Sequence, residues 1–401
     1  MDLIKMFDYA VNRTPSKLAI VEGEKAYTYE ELNQEVNQVA ASLYRLGVKK
    51  GDRIAILLRN RIEAIIIFWA TQKIGAVFSP INIRYTQEVI HYCINDLDVK
   101  AIVSEKATEH LIDRKKIEYR PLFITIDGKN DISYKELALA QDIDKDFSYV
   151  PIDENDISII LYTSGTTGLP KGVPRTHKNE YTSTVSHIFH CHYELESSLL
   201  AVISLHHTMG MRTMLSTFLL NGTLYILREF DPREVCQFIQ DYKISCLYLF
   251  PNMYHEIVSL PEIEKYDFES LHVIAYAGAP MTSKLIQRCE KIFYPRYFIN
   301  HYGSTEIFTH AICHHVDEKP GCAGKAGMHQ KILIIEADVN RTKNEKDVVA
   351  DGEIGEIIVH MDSPEAFKGY WNKPDITKKS VKNNWYYTGD LGFKDESGNI
   401  F

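Results

Sequence analysis

The side chains best suited to chemistry crowd into one stretch, Ile160-Leu161-Tyr162-Thr163-Ser164-Gly165-Thr166-Thr167-Gly168-Leu169-Pro170-Lys171-Gly172-Val173. The apolar run from Ile157 to Tyr162 reads as a buried strand, and it gives way abruptly to hydroxyl residues and glycines. Glycines let backbone N–H groups approach an anion closely, Ser and Thr hydroxyls add donors, and Lys171 adds a positive charge. Those are the requirements of a polyphosphate. The spacing differs from that of the common nucleotide-hydrolase loop, which needs Gly-Lys-Ser/Thr in succession, because Leu169-Pro170 separates Gly168 from Lys171. A plain surface loop is the bland alternative, but this bias directly after a buried strand favours a binding loop.

Further stretches accompany it. Ala277-Gly278-Ala279-Pro280 follows an apolar run at the C-terminal end of an expected strand, where open α/β sheets place their ligands. Asn300-His301-Tyr302-Gly303-Ser304-Thr305-Glu306 combines an aromatic, hydroxyls and a carboxylate; on its own it also reads as a strand end followed by a helix capped by Ser304 or Thr305. Lys368-Gly369-Tyr370-Trp371-Asn372-Lys373-Pro374 and Trp385-Tyr386-Tyr387-Thr388-Gly389-Asp390 follow, and Ser204-Leu205-His206-His207-Thr208-Met209-Gly210 lies between the first two groups.

Taken in this order, the motifs resemble those of the adenylate-forming superfamily: acyl- and aryl-CoA synthetases, peptide-synthetase adenylation domains and firefly-luciferase-like enzymes. The resemblance covers the whole chain. It implies that Thr163, Ser164, Gly165, Thr166, Thr167, Gly168 and Lys171 hold the phosphates of ATP. It implies a nucleotide site completed by Gly278, Ala279, Pro280, Asn300, His301, Tyr302, Gly303, Ser304, Thr305 and Asp390. In it Tyr302 lies against the adenine, Thr305 contacts the α-phosphate and Asp390 accepts from both ribose hydroxyls. Glu306 would hold Mg2+, a hard cation suited to carboxylate oxygen. His207 takes the position of the histidine that gates the acyl pocket, and His207, Thr208, Gly278, Gly303 and Ile307 are the expected pocket wall. Thr305, Glu306, His207 and Lys171 are the expected catalytic set. The family's transition-state lysine is a different one, in its C-terminal lid.

The implied reaction has two halves. A carboxylate attacks the α-phosphorus of ATP, releasing pyrophosphate and leaving an acyl-adenylate, and the thiol of coenzyme A then displaces AMP. Thr208 stands where amino-acid-selecting domains place aspartate and dihydroxybenzoate activators place asparagine, so neither class is matched. The spacing around His206-His207 and Gly278-Ala279-Pro280 resembles that of aryl- and medium-chain acyl-CoA synthetases, which implies an aromatic or medium-chain acid. His206 stands where the family usually has an aromatic and Ser204 where it has proline. The alternatives are an adenylation domain that loads a carrier protein, a luciferase-like oxygenase, and a binding module that senses nucleotides or acyl-adenylates without turnover.

The bulk properties agree. With 401 residues, 45% hydrophobic and 25% charged, the sequence is that of a globular protein large enough for several subdomains. A formal net charge of -9 argues against nucleic acid as the main partner. The seven cysteines are scattered without a C-x-x-C pair, as expected of buried free thiols in a reducing compartment. No signal peptide and no long apolar span is read, so a cytoplasmic protein without a membrane partner is expected. His206-His207, Cys313-His314-His315 and His187/His190/His192 carry metal-ligating types, but read as core or solvated histidines.

The elements that must position these residues read as an α/β fold. Thr28 with Glu31 forms a capping box ahead of Leu32, Val36, Val39, Leu43 and Leu46, and Gly47 ends that helix. Ile54–Leu58 reads as a buried strand, Ile62–Ile74 as a buried helix closed by Gly75, and Thr86 as the cap of another helix. From 157 to 305, strand-like runs at 199–205, 223–227, 245–250, 271–277 and 297–302 alternate with helical ones near 209–220, 232–242, 252–260 and 282–293. Such alternation implies parallel βαβ sheets. Two parallel-sheet subdomains packed together (about 1–190 and 191–316) and a small antiparallel β-barrel (about 317–401) are expected, with an exposed hairpin tip at Asn340–Asp351. In the resembled family a Gly-Arg pair, a hinge and a lid of roughly one hundred residues follow. The chain is therefore expected to be the large domain without its lid, able to bind ATP but weak in turnover and lacking thioesterification.

Overall fold

The computed structural model describes residues 1–128, 132–139, 150–163, 168–338 and 342–401. Its residues gather into two compact units. The first comprises Met1–Tyr181, Ala201–Glu229 and Tyr370–Asn372; the second comprises Thr182–Leu200, Phe230–Gly369 and Lys373–Phe401. This partition is not colinear with the expected blocks. The segment 201–229 joins the N-terminal unit, where Thr223–Ile226 pairs in parallel with Leu18–Glu22.

The first unit is built on a seven-stranded sheet. Its order is Ile132–Ser133, Leu122–Thr125, Ala101–Ser104, Arg53–Leu57, Val77–Pro80, Ile157–Thr163 and Lys171–Thr176. All neighbours run parallel except the last two, which form an antiparallel hairpin. The helix Ile62–Ile74 is buried at every position, as its all-round apolar sequence requires, and Gly75 closes it at a left-handed φ of 71°. Thr28 and Glu31 form the capping box of Tyr29–Arg45. Thr86 does occupy the N-cap of Gln87–Leu97, but its side chain makes no capping hydrogen bond.

An aromatic cluster binds four helices of this unit together. Phe7 stacks on Trp69 at 4.4 Å, Phe218 meets Trp69 edge-on at 5.3 Å, and Tyr29 packs on Phe218 at 5.9 Å. The Tyr29 hydroxyl, buried with its ring, donates to the carbonyl of Gly222 at 2.8 Å, so the polar tip is not left unsatisfied. Each such ring pair adds about 0.5–1.5 kcal/mol beyond its buried area.

In the second unit Cys246–Leu249, Val273–Ala277 and Tyr297–Tyr302 run parallel, and Ala311–Cys313 and Lys325–Ala326 return antiparallel. The helices Pro232–Tyr242, Pro251–Val258 and Ser283–Phe293 connect these strands. The first two start with proline, whose missing N–H costs nothing there. A separate antiparallel sheet has the open order Ile332–Ile335, Gly355–His360, Trp385–Gly392, Val381–Lys382, a half-barrel rather than a closed barrel. Within the expected tip, 340 and 341 lie outside the described residues. The remainder is tied down by the Tyr387 hydroxyl donating to the Lys343 carbonyl at 2.9 Å.

The parallel βαβ cores of both large sheets are as expected, and hairpins supply their edge strands. One expectation needs correction. The strand expected at 199–205 ends at Ala201. The chain must turn there, since Gly210 presses on the carbonyls of Ile203 and Ser204, leaving a Cβ only 2.5 and 2.4 Å away. Nor does a helix follow Tyr302, the alternative reading of that stretch: Ser304 and Thr305 lie in a tight turn. All seven cysteines are free and buried, as expected.

Several buried histidines fix how the fold responds to acid. Burial holds His310 down at about 3 and both His190 and His177 at about 4, and it holds His187 well below the ordinary range. These imidazoles are neutral when folded, whereas in the unfolded chain they take a proton near pH 6.5. Stability is therefore intact above that pH and is lost as pH falls toward about 4. Each contributes roughly 1.4 kcal/mol per pH unit in this window. Thermal unfolding followed by circular dichroism should show a steep fall in Tm between pH 6.5 and 4.5; a flat profile would contradict these assignments.

Candidate functional site

The hydroxyl-rich stretch connects the two strands of the hairpin in the first unit. Thr163 ends one strand and faces Lys171, which opens the other. Ser164, Gly165, Thr166 and Thr167 lie outside the described residues; Gly168 has a left-handed φ of 130° and Leu169 is exposed. The loop thus joins strand to strand, and Lys171 is held by the ladder rather than by a helix. Its ammonium lies 4.4 Å from the centre of the Tyr370 ring and 3.4 Å from the Tyr370 hydroxyl. A cation against an aromatic face is held in direction without being neutralised.

The Tyr370-Trp371-Asn372 segment is fastened to the same hairpin. The Trp371 N–H donates to the Gly172 carbonyl at 2.8 Å, and a Cβ on Gly172 would sit 3.0 Å from Trp371 Cβ. The Trp371 indole and the Asn372 amide both donate to the Asp96 carbonyl at 3.0 Å, and the Tyr162 hydroxyl donates to the Asp96 carboxylate at 2.7 Å. The sequence motif containing Tyr370 was legible, but its role of orienting Lys171 was not, since the two are far apart in the chain.

His206 and His207 also belong to this unit. The rings are 4.2 Å apart, and His206 Nδ1 lies 2.9 Å from Ser204 Oγ. His207 is the exposed N-cap residue of the buried helix Thr208–Leu219, and its side chain does not cap it. Desolvation pushes His206 down to about 3 and lowers His207, and the charge of Arg84 adds to both shifts. Both are neutral imidazoles at pH 7. Arg84 has no periodic pattern around it that could have flagged it from sequence.

In the second unit, Gly278 follows the strand Val273–Ala277 with φ of 84°, and a Cβ there would lie 3.0 Å from the Phe250 ring. Ala279 and Pro280 complete the exposed turn, and Thr282 caps the following helix through the Leu285 N–H. The neighbouring strand Tyr297–Tyr302 ends beside it, with His301 opposite Ala277. The turn after Tyr302 is closed by Ser304 N–H to the Ile307 carbonyl at 3.0 Å and Ile307 N–H to Ser304 Oγ at 3.2 Å. Gly303 is obligatory, because a Cβ would lie 1.8 Å from the Phe308 carbonyl oxygen.

Strand alternation divides the site residues of this turn. Tyr302 is half-buried, and its hydroxyl donates to Asp390 Oδ2 at 2.7 Å. Burial and then the Asp390 carboxylate push the phenol well above its ordinary value, so it remains a donor. Asn300 is half-buried too, its amide donating to the Cys322 carbonyl at 2.8 Å. His301 points the other way, into a core with Tyr248, His187 and Phe308, so its imidazole faces the interior and not the Tyr302 side. Ile307 is fully buried, Thr305 is half-buried, and Glu306 is buried with its carbonyl accepting from the Phe367 N–H at 2.8 Å.

Asp390 is presented by a distortion of the half-barrel. The pairing of Gly355–His360 with Trp385–Gly392 shifts register between Glu356 and Ile358. There Gly389 adopts a φ of 82° and donates to Glu356 Oε1 at 3.2 Å. Thr388 Oγ1 donates to the Ile357 carbonyl at 2.8 Å and accepts from the Asp390 N–H at 3.0 Å. Bulges of this kind re-aim side chains at functional sites. Among the described residues no three His, Cys, Asp or Glu side chains converge as a metal site. Glu306 as a single carboxylate fits Mg2+, which keeps most of its ligands as water and phosphate oxygens.

Replacing Gly303 with alanine should cost about 1–3 kcal/mol in urea unfolding, because the new Cβ must force the turn open. Unchanged stability would show that the turn yields freely.

Residues 7–371 match the AMP-binding enzyme family. A 2-succinylbenzoate–CoA ligase from Geobacillus sp. (strain WCH70) is 27% identical over 391 residues, covering 97% of this chain and 74% of the relative. 4-Coumarate–CoA ligase 3 from Oryza sativa subsp. japonica is 27% identical over 399 residues, covering 95% and 70%. The inhibitor-bound N-terminal domain of FACL13 from Mycobacterium tuberculosis superimposes with a TM-score of 0.88 at 25% identity, covering 100% of this chain and 98% of that one. The motifs, the two mixed sheets with their half-barrel, and this match from end to end agree: the chain belongs to the AMP-binding enzyme family and has the fold of the large domain of adenylate-forming enzymes.

Proposed function

We propose that this chain activates an aromatic or medium-chain carboxylic acid as its acyl-adenylate, and that the acyl group passes to coenzyme A. The observation that carries this reading is the 2.7 Å hydrogen bond from Tyr302 to Asp390, which joins two motifs distant in sequence. An aromatic ring and a carboxylate with two acceptor oxygens, fixed against each other, suit a purine and the vicinal hydroxyls of a ribose. The names of the relatives, ligases of 2-succinylbenzoate and 4-coumarate, support an aromatic acid. No helix among the described residues is long and apolar enough to cross a membrane.

In the first half-reaction a carboxylate oxygen forms a bond to the α-phosphorus while the bond to the pyrophosphate oxygen breaks. Positioning and charge stabilisation dominate such transfers. In the second unit Asp390 and Tyr302 would fix the nucleoside and Thr305 would meet the α-phosphate; in the first unit Lys171, aimed by Tyr370, would meet phosphate charge. Mg2+ at Glu306 supplies charge neutralisation when bound. In the second half-reaction the thiol sulfur bonds to the acyl carbon and AMP departs. A neutral His207 can move at the mouth of the acyl pocket without carrying a charge across it.

Asp390→Ala removes hydrogen bonds to a charged acceptor, each worth about 1.5–3 kcal/mol. The expected result is a 10- to 100-fold fall in kcat/KM for ATP in acid-dependent ATP–pyrophosphate exchange. A change under twofold would overturn the ribose assignment. Tyr370→Ala should raise the KM for ATP several-fold by releasing Lys171, while Tyr370→Phe, which keeps the ring, should restore most of the loss. Equal loss in both variants would place the effect in the hydroxyl instead.

A further inference from the structure

The nucleotide motifs of the second unit lie at the C-terminal ends of its parallel strands. At the opposite ends, where Cys246–Leu249, Val273–Ala277 and Tyr297–Tyr302 begin, there is a cavity of about 310 Å³ that the proposed reaction does not use. Its lining includes His192, Glu194, His272, Arg296 and Tyr297. His192 stacks on the Tyr297 ring at 3.9 Å, and the Arg296 guanidinium lies 5.3 Å from the same ring. His315 flanks Tyr297 at 6.0 Å, and His192 Nε2 is 3.3 Å from His314 Nδ1. Two imidazoles and a guanidinium thus flank one phenol, with a third imidazole behind His192.

Among the described residues the guanidinium of Arg296 and the imidazole of His272 make no hydrogen bond or ion pair with the protein. Glu194 is the one carboxylate in the lining, and the Cys246 thiol is kept neutral by burial, which pushes it up to about 12. We propose that this cleft at the N-terminal edge of the sheet is a binding site for a small phosphate monoester, separate from the nucleotide site. Arginine's planar fork matches phosphate oxygens, and imidazole N–H groups add donors from other directions. A cleft of this size admits a phosphate with a small organic body.

The electrostatics give the site a proton signature. His192 is lowered by burial and then by the charges of His315 and Arg296, and His314 is lowered by burial and then by His192 and His315. A dianion in the cleft reverses that local field, so binding takes up protons and tightens as pH falls from 8 to 6.5. Glu194 opposes the ligand, and Glu290 and Asp317 stand near His315.

The test is calorimetric titration of the 401-residue chain and of its Lys171→Ala variant with methyl phosphate. Expected are saturable binding undiminished in Lys171→Ala, tighter at pH 6.5 than at pH 8, at least tenfold weaker in Arg296→Gln and several-fold tighter in Glu194→Gln. Arg296 is exposed and its guanidinium makes no hydrogen bond or ion pair with the described residues, so its variant should fold, and circular dichroism checks this. No saturable binding, binding abolished in Lys171→Ala, or unchanged affinity in Arg296→Gln would each overturn the proposal.

Discussion

The hydrogen bond between Tyr302 and Asp390 is the constraint around which the second unit is arranged. It asks a strand end and a half-barrel edge to deliver two side chains to within 2.7 Å. Each side meets the demand by breaking its own regularity. The strand Tyr297–Tyr302 stops at Gly303, which lets the backbone fold back against the Phe308 carbonyl, and the half-barrel shifts register so that Gly389 can turn Asp390 outward. Backbone distortions persist only where surrounding structure holds them. Here the holding groups are explicit: Ser304, Thr388 and the buried Glu356.

The first unit solves a different problem, keeping a lysine directed yet charged. Placing Lys171 at the start of a strand fixes its backbone by the ladder, and Tyr370 offers a ring and a hydroxyl but no carboxylate. A salt bridge would hold the ammonium equally well, but it would compete with any phosphate. The same economy governs His206, kept neutral by desolvation and then by neighbouring His207 and Arg84.

Much of this was legible in the sequence because the decisive signals are local. The capping box at Thr28 and Glu31, the all-apolar helix ending at Gly75, and the strand–helix alternation follow from residue spacing over a few turns. The motif loops were legible for the same reason, since glycines and hydroxyls cluster where backbone must approach a ligand. Relations between distant residues were not. Nothing near Tyr370 says that it faces Lys171, nothing near Glu356 says that it anchors Gly389, and the inward turn of His301 depends on strand alternation within a motif that looked uniformly functional. The alternative reading of a helix after Tyr302 fails because Ser304 uses its hydroxyl to close a turn onto Ile307, a competing local bond that the residue type equally allows.

The central claim, a nucleotide site that takes an acyl-adenylate, is tested most directly by thermal stability with Mg-ATP, AMP and non-hydrolysable acyl-sulfamoyl adenosines bearing aryl, medium-chain, short-chain and aminoacyl groups. A ligand at about 100 times its Kd adds roughly 2.7 kcal/mol, several degrees in Tm for a protein of this size. The account predicts that an aryl or medium-chain analogue shifts the transition further than ATP or AMP. If no nucleotide or analogue moves it, the pairing of Tyr302 with Asp390 serves the fold alone and the assigned site is wrong.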